Sequence, residues 1–243
     1  MKTISCLGYS VHPEKNIPES FRAKKMVINT INPHCYCEAK KDNLYSQALH
    51  DSDLLLPDGI GYVLAIRVLN GIKTNRFPGF DLHTLLLQKI NNRGGKVFYM
   101  GSSTLTLEKI EEKIKLEYPN VQVASYSPPF KKNFSTEENN QIINAINEFS
   151  PDVLFVGMTA PKQEKWVHRH KDSINAGIIA SVGAVFDFYA NTVKRPGKFW
   201  QSNGLEWLPR LLRQPIRLWR RNFISAPVFI WDVFLTKIGL LKH

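Results

Sequence analysis

Six short runs of this chain are apolar on both alternations, and that restricts it to few folds. They are Met26–Thr30, Asp53–Leu56, Lys96–Met100, Val121–Ser125, Val153–Val156 and Gly177–Val182. A strand with one wet face alternates apolar and polar residues. A strand covered on both faces does not, and parallel sheets are covered on both faces. Amphipathic stretches separate the runs. In 105–116, Leu105, Ile110 and Ile114 recur near helical spacing among Lys and Glu; in 137–149, Ile142, Ile143 and Ile146 do the same. Thr136 is placed to cap the second of these helices, and Ser150-Pro151 ends it. This alternation predicts an α/β fold, a doubly wound, mostly parallel sheet flanked by helices. With 43% hydrophobic and 22% charged residues among 243, the chain can bury a full core, and global disorder is excluded.

After about Ala190 the texture changes. Strands stop, and Arg, Trp and Leu alternate with Pro. The stretch 205–223 reads as short helices interrupted by Pro209 and Pro215, followed by a more apolar helix to Leu241. The expected division is a core of residues 1–195 and a C-terminal appendage of 196–243. From Lys194 onward, ten Lys/Arg against Glu206 and Asp232 carry +8 of the chain's net +11. The partner of this segment is therefore anionic. Basic residues interleaved with Trp207 and Trp219 suit an amphipathic segment lying on an anionic membrane, each Lys/Arg there contributing roughly 1 kcal/mol. Nucleic acid is the competing partner. The series Phe229, Ile230, Trp231 and Phe234 favours the membrane, because a nucleic-acid binder gains little from it; docking of the apolar helix on the core is the plainer alternative. The run 223–235 is broken by Ser225, Pro227 and Asp232 and is too short to span a bilayer, which takes about 20 residues. No signal peptide is expected at the N-terminus. Three cysteines make no disulfide framework and no zinc pattern, and a reducing cytoplasm suits them.

Four constellations carry candidate chemistry. In LLLPDGIG (54–61), Asp58 falls at the carboxyl end of a strand, where open α/β sheets bind ligands. It is either the cap of a helix starting near Ile60 or a general base in a partly closed pocket. In NRFPGFDL (75–82), Arg76 before a Pro-Gly turn is either a solvated arginine or a diphosphate contact. Gly101 and Gly157 each follow a strand and precede a helix, a geometry that lets backbone N–H groups meet phosphate. Pro161 fits a helix start, so Gln163 faces the sheet edge, where its amide either completes the helix or meets a sugar or leaving phosphate. In 181–200, Phe186, Asp187 and Tyr189 suit a nucleoside base and ribose, or equally a packed turn. Two metal patterns are discounted: Asp51-Ser52-Asp53 precedes its strand, and His168 and His170 point to different helix faces.

In this order, the segments resemble the WecG/TagA/CpsF family of bacterial glycosyltransferases. The residues that carry the resemblance are 30–33 (TINP), 57–61 (PDGIG), Arg76 with Gly79 and Asp81, Gly101, 151–166, 181–190, 193–200 and 204–221. The family commonly has Gly where Thr159 stands and an acid where Asn75 stands. The resemblance implies a Rossmann-like core with a membrane-associating helical appendage. It implies an inverting, metal-independent enzyme without a cofactor, peripheral on the inner face of the bacterial cell membrane. The reaction moves N-acetylmannosamine or a relative from a UDP-sugar to an undecaprenyl-diphosphate-linked sugar, in teichoic acid, capsule or related polysaccharide synthesis. Carried over residue by residue, Asp58 is the base, with Thr30 and Asn32 lining the pocket. Arg76 and Gln163 meet the donor or leaving group, and Arg210, Arg217 and Arg220 complete the site over the diphosphate. Gly101, Gly157 and Asp187 complete the expected substrate contacts, homo-oligomers through the core are expected, and nucleic acid is not a partner. The rivals are a nucleotide-binding oxidoreductase, for which 4–13 lacks the glycine fingerprint, and a basic nucleic-acid-binding protein, which needs neither Asp58 nor Gln163.

Overall fold

A computed structural model of the chain describes residues 3–13, 17, 21, 24–197, 199–200, 204–213 and 215–242. All six apolar runs are strands of one parallel sheet: β3 (Met26–Ile31), β4 (Leu54–Pro57), β5 (Gly95–Gly101), β6 (Val121–Tyr126), β7 (Val153–Gly157) and β8 (Ile178–Ser181). Their order across the sheet is β4-β3-β8-β7-β5-β6, every pair parallel. The strand-like stretch near the N-terminus lies elsewhere. β1 (Ile4–Cys6) and β2 (Tyr9–Val11) form a separate antiparallel hairpin. It joins β4 through His12 N–H to the Leu55 carbonyl (2.8 Å) and Leu55 N–H to His12 Nδ1 (3.1 Å), which covers the exposed edge of that strand.

The buried residues explain why these strands read as continuously apolar. Val97, Tyr99, Val153, Phe155, Ile178 and Ala180 point to one face. Phe98, Met100, Leu154, Val156 and Ile179 point to the other. The first face is packed by α4 (Gly79–Arg93), α5 (Thr104–Glu117) and α8 (Val185–Tyr189), the second by α6 (Thr136–Phe149) and α7 (Lys162–His170). A third cluster gathers the hairpin, α1 (Pro33–Ala39), α2 (Asn43–His50) and α3 (Ile60–Asn70). The cap of α6 is Ser135, not Thr136. Its hydroxyl accepts from Glu138 N–H while Glu138 bonds the Ser135 N–H, a reciprocal capping box that Thr136 cannot form from inside the helix.

The C-terminal segment folds as α9 (Trp207–Arg213), α10 (Pro215–Arg220), one wide π turn (Arg221–Ser225) and α11 (Ala226–Lys237). Pro209 does not interrupt a helix: it sits in the first turn of α9, where a proline costs no hydrogen bond. One side of α11 is docked on the core. Phe229 wedges between Tyr36 and Tyr62 (ring centroids 5.6 and 5.7 Å apart). Buried Asp232 accepts from Tyr36 Oη (3.0 Å) and Lys40 Nζ (2.6 Å). Ser225 Oγ meets His34 Nδ1 at 2.9 Å. Docking and an exposed apolar face coexist, since Ile230, Trp231 and Phe234 point away from the core. Among the described residues, no helix is long and apolar enough to cross a membrane.

Candidate active site

Chain connections leave β5 toward β6 and β7 toward β8, in opposite directions across the sheet. Such a switch point opens a crevice beyond the carboxyl ends of the strands. The sequence-predicted residues gather along that edge. Thr30 lies near the end of β3, and Asp58 directly follows β4. Gly101 and Gly157 are register partners at the ends of β5 and β7.

Asp58 is not a helix cap. The N-cap of α3 is Gly59, with φ +81°, and no side chain bonds the first turn. That positive φ turns the chain sharply, as glycine alone does without strain, and leaves the Asp58 carboxylate out of the helix. Asp58 N–H donates to the Ile31 carbonyl (2.8 Å), extending the β3–β4 ladder by one step and fixing the residue at the edge. Its carboxyl is held above the ordinary aspartate value, chiefly by desolvation. Glu206 pushes in the same direction, while Arg221, Arg76 and Arg210 pull against it. The proton affinity of this carboxyl thus stays raised although three arginines act to lower it.

Asn32 is the N-cap of α1. Its Oδ1 accepts from His34 N–H (3.0 Å) and Cys35 N–H (3.1 Å), so only the amide Nδ2 remains for a ligand. The Arg76 loop is pinned to the edge of β4 by Phe77, which is buried and donates its N–H to the Pro57 carbonyl (2.7 Å). Arg76 Nη1 pairs with Glu206 Oε2 at 2.6 Å. Gly101 has φ +123°, and a Cβ there would overlap the Gly157 carbonyl. A Cβ on Gly157 would lie 2.5 Å from the Phe186 ring. Close packing of strand ends thus demands both glycines, before any ligand is considered.

Gln163 reaches the sheet edge as expected, but its amide is engaged within the protein. Oε1 accepts from Met158 N–H (3.1 Å) and Gly183 N–H (3.1 Å), tying together the turns after β7 and β8. Nε2 donates to Glu164 Oε1 (2.8 Å), and this bond fixes which way the amide faces. Burial pushes the Glu164 carboxyl up to about 7, and its Oε2 has no partner among the described residues. Gln163→Ala strands two backbone donors at about 1–3 kcal/mol each. Chemical denaturation should register that loss, and turnover should fall with it because both turns line the crevice.

Phe186 and Tyr189 are buried against His83 and Tyr99 in the core, the packed-turn alternative, because the short helix α8 turns them inward. Asp187 is half-buried, and its carboxylate makes no hydrogen bond among the described residues. Asp53 bonds Val27 N–H (2.8 Å) at the amino end of the sheet, opposite the crevice, and Asp51 lies 3.4 Å from His168. Among the described residues, no group of three His, Cys, Asp or Glu is arranged to hold a metal.

The C-terminal segment reaches this edge through Glu206 and Arg210. Arg210 lies over the Phe188 ring at 5.2 Å and acts on Asp58. Arg220 is exposed and lies 5.8 Å from the ring of its neighbour Trp219, while Arg221 is the cation that bears most on Asp58. A π turn opens at Arg221, which is half-buried where Arg220 is exposed. The side chain of Arg217 lies outside the described residues. Glu206 and Arg221 were not singled out by the sequence, although both lie in the 204–221 segment that carries the resemblance.

Comparison with known proteins gives the family. The model of the glycosyl transferase WecG/TagA/CpsF family matches residues 4–243. An N-acetylglucosaminyldiphosphoundecaprenol N-acetyl-beta-D-mannosaminyltransferase of Bacillus spizizenii is 31% identical over 220 residues, covering 90% of this chain and 80% of the relative. The protein of the same name from Bacillus subtilis is 32% identical over 207 residues (85% and 78%), and that from Staphylococcus aureus 26% over 217 (89% and 83%). With nearly its whole length matched, the chain belongs to the WecG/TagA/CpsF family and is a glycosyltransferase.

Proposed function

We propose that this enzyme transfers N-acetylmannosamine from its UDP derivative to N-acetylglucosaminyl-diphospho-undecaprenol, with inversion and without a metal ion, in assembly of a teichoic acid or related cell-surface polysaccharide. The relatives' names support the sugar and the lipid acceptor. The observation that carries the mechanism is the place of Asp58, directly after β4 at the carboxyl edge of the sheet and outside the helix that follows, with desolvation raising its carboxyl against the pull of Arg221, Arg76 and Arg210. The Asp58 carboxylate takes the proton of the acceptor hydroxyl as its oxygen bonds the anomeric carbon. The bond from that carbon to the UDP β-phosphate oxygen breaks, and the electron pair leaves with UDP. Guanidinium groups stabilise the departing diphosphate electrostatically. Thr30 and the Asn32 amide line the pocket, and Gln163 holds its turns in place.

An acceptor anchored in lipid accounts for the basic, apolar-faced appendage. The enzyme works as a peripheral protein at the inner face of the cell membrane, with α11 laid on the anionic surface. The test is a donor screen with purified enzyme, a short-chain diphosphate-linked N-acetylglucosamine acceptor and a panel of UDP-sugars, with and without chelator. UDP-N-acetylmannosamine should give the highest kcat/KM, unchanged by chelator. Preference for another donor, or loss of activity with chelator, would overturn the corresponding part of the reading.

A further inference from the structure

Glu206 stands where an anion would. Its Oε2 lies 2.6 Å from Arg76 Nη1, and its Oε1 accepts from Arg195 Nε at 3.2 Å. One carboxylate thus lies between two guanidinium groups from distant parts of the sequence. Arg195 is held ready for this by the Phe80 ring, which lies 4.3 Å below its guanidinium carbon, and by Asp81 at 3.9 Å. Arg76, Arg195 and Glu206 are 22%, 19% and 18% exposed, so the cluster is recessed yet reachable from solvent. Arg76 precedes Phe77, whose N–H bonds the carbonyl of Pro57 next to Asp58 (2.7 Å), which places the cluster beside that carboxyl, and Glu206 helps to raise its proton affinity.

Two facing forks of this kind match a diphosphate at least as well as a carboxylate, because each phosphate offers more acceptor oxygens and more charge. A purely structural ion pair has no need of a second arginine pre-stacked on an aromatic ring, or of a place next to the catalytic carboxyl. We propose that Arg195 joins Arg76 in seating the diphosphate of the nucleotide donor, and that Glu206 is an internal anion that fills this seat until the donor displaces it. The proposal rests on the reading of Arg76 as a donor contact. Displacement removes a negative charge from beside Asp58 and frees the segment leading into α9, which carries Arg210. Donor binding is thereby coupled to the position of the appendage.

The test measures binding of UDP, and separately of farnesyl diphosphate, to the full-length enzyme. Arg76→Ala comes first: unchanged UDP affinity would refute the donor reading itself. Given a loss there, Glu206→Gln should tighten UDP roughly fivefold or more, since the bound nucleotide no longer competes with a fixed carboxylate. Arg195→Gln should weaken UDP roughly tenfold. If Glu206 only braces the two arginines, Glu206→Gln weakens UDP instead, and the proposal falls. It falls also if Arg195→Gln leaves UDP affinity unchanged, or if Glu206→Gln tightens farnesyl diphosphate alone, which would assign the seat to the lipid acceptor. Glu206→Asp is a second probe that keeps the charge: its shorter reach should loosen the contact and give a smaller gain in UDP affinity than Glu206→Gln.

Discussion

Asp58→Asn leaves the chain folded and able to hold UDP but slows sugar transfer by roughly 10²–10⁴-fold, the usual worth of a positioned general base. The substitution keeps the shape of the side chain and removes the lone pair that accepts the proton. Asp58 caps no helix, so the change costs little stability. The wild-type pH profile carries an independent signature. A base works only when deprotonated, and the Asp58 carboxyl is raised above its ordinary value of about 3.9. Activity should therefore fall on the acid side, with the limb displaced upward from the range of a free aspartate. Initial rates and UDP titrations on both proteins decide the matter. Turnover surviving in Asp58→Asn would remove this residue from the role of base.

The second large effect concerns the outer face of the appendage. Replacing Ile230, Trp231 and Phe234 together by Glu should abolish sedimentation with anionic vesicles and strongly depress transfer to a long-chain lipid acceptor. These side chains are 66%, 59% and 51% exposed, so the core does not depend on them; Phe229 and Asp232 on the opposite side keep α11 docked. Each large apolar side chain that enters the interface contributes up to roughly 1.5–3 kcal/mol, and three new carboxylates add repulsion from anionic lipid. Together they amount to a loss of more than about 100-fold in partitioning. Transfer to a short-chain, water-soluble acceptor should be largely retained, which separates membrane docking from chemistry. If vesicle binding persists while a dimer or trimer dissociates, this face joins subunits rather than meeting lipid.

The reading of the strands succeeded because burial on both faces leaves its mark on every residue of a run such as Val153–Gly157. Asp58 was legible for a related reason: a carboxylate between a strand and a glycine pair occupies the one edge where such sheets bind ligands. The role of Gln163 was half legible. Its spacing from Pro161 put it at the sheet edge, but its bonds to Met158 and Gly183 depend on β7 and β8 lying side by side, which no local pattern encodes. Arg221 was not legible, because its half-buried place at the start of a π turn follows no local pattern in the run of arginines.

By itself, the sequence determined the layers of this protein, the edge of the sheet where the candidate site lies, and the basic charge of its C-terminal segment. Those follow from periodicity, glycine placement and charge, which act over a few residues. Only the tertiary structure decided which charges meet. Arg76 and Arg195 close on Glu206, and Asp232 closes on Tyr36 and Lys40. Residues 130 and 192 positions apart become neighbours only once the packing of apolar surfaces has set the approach of one element to another.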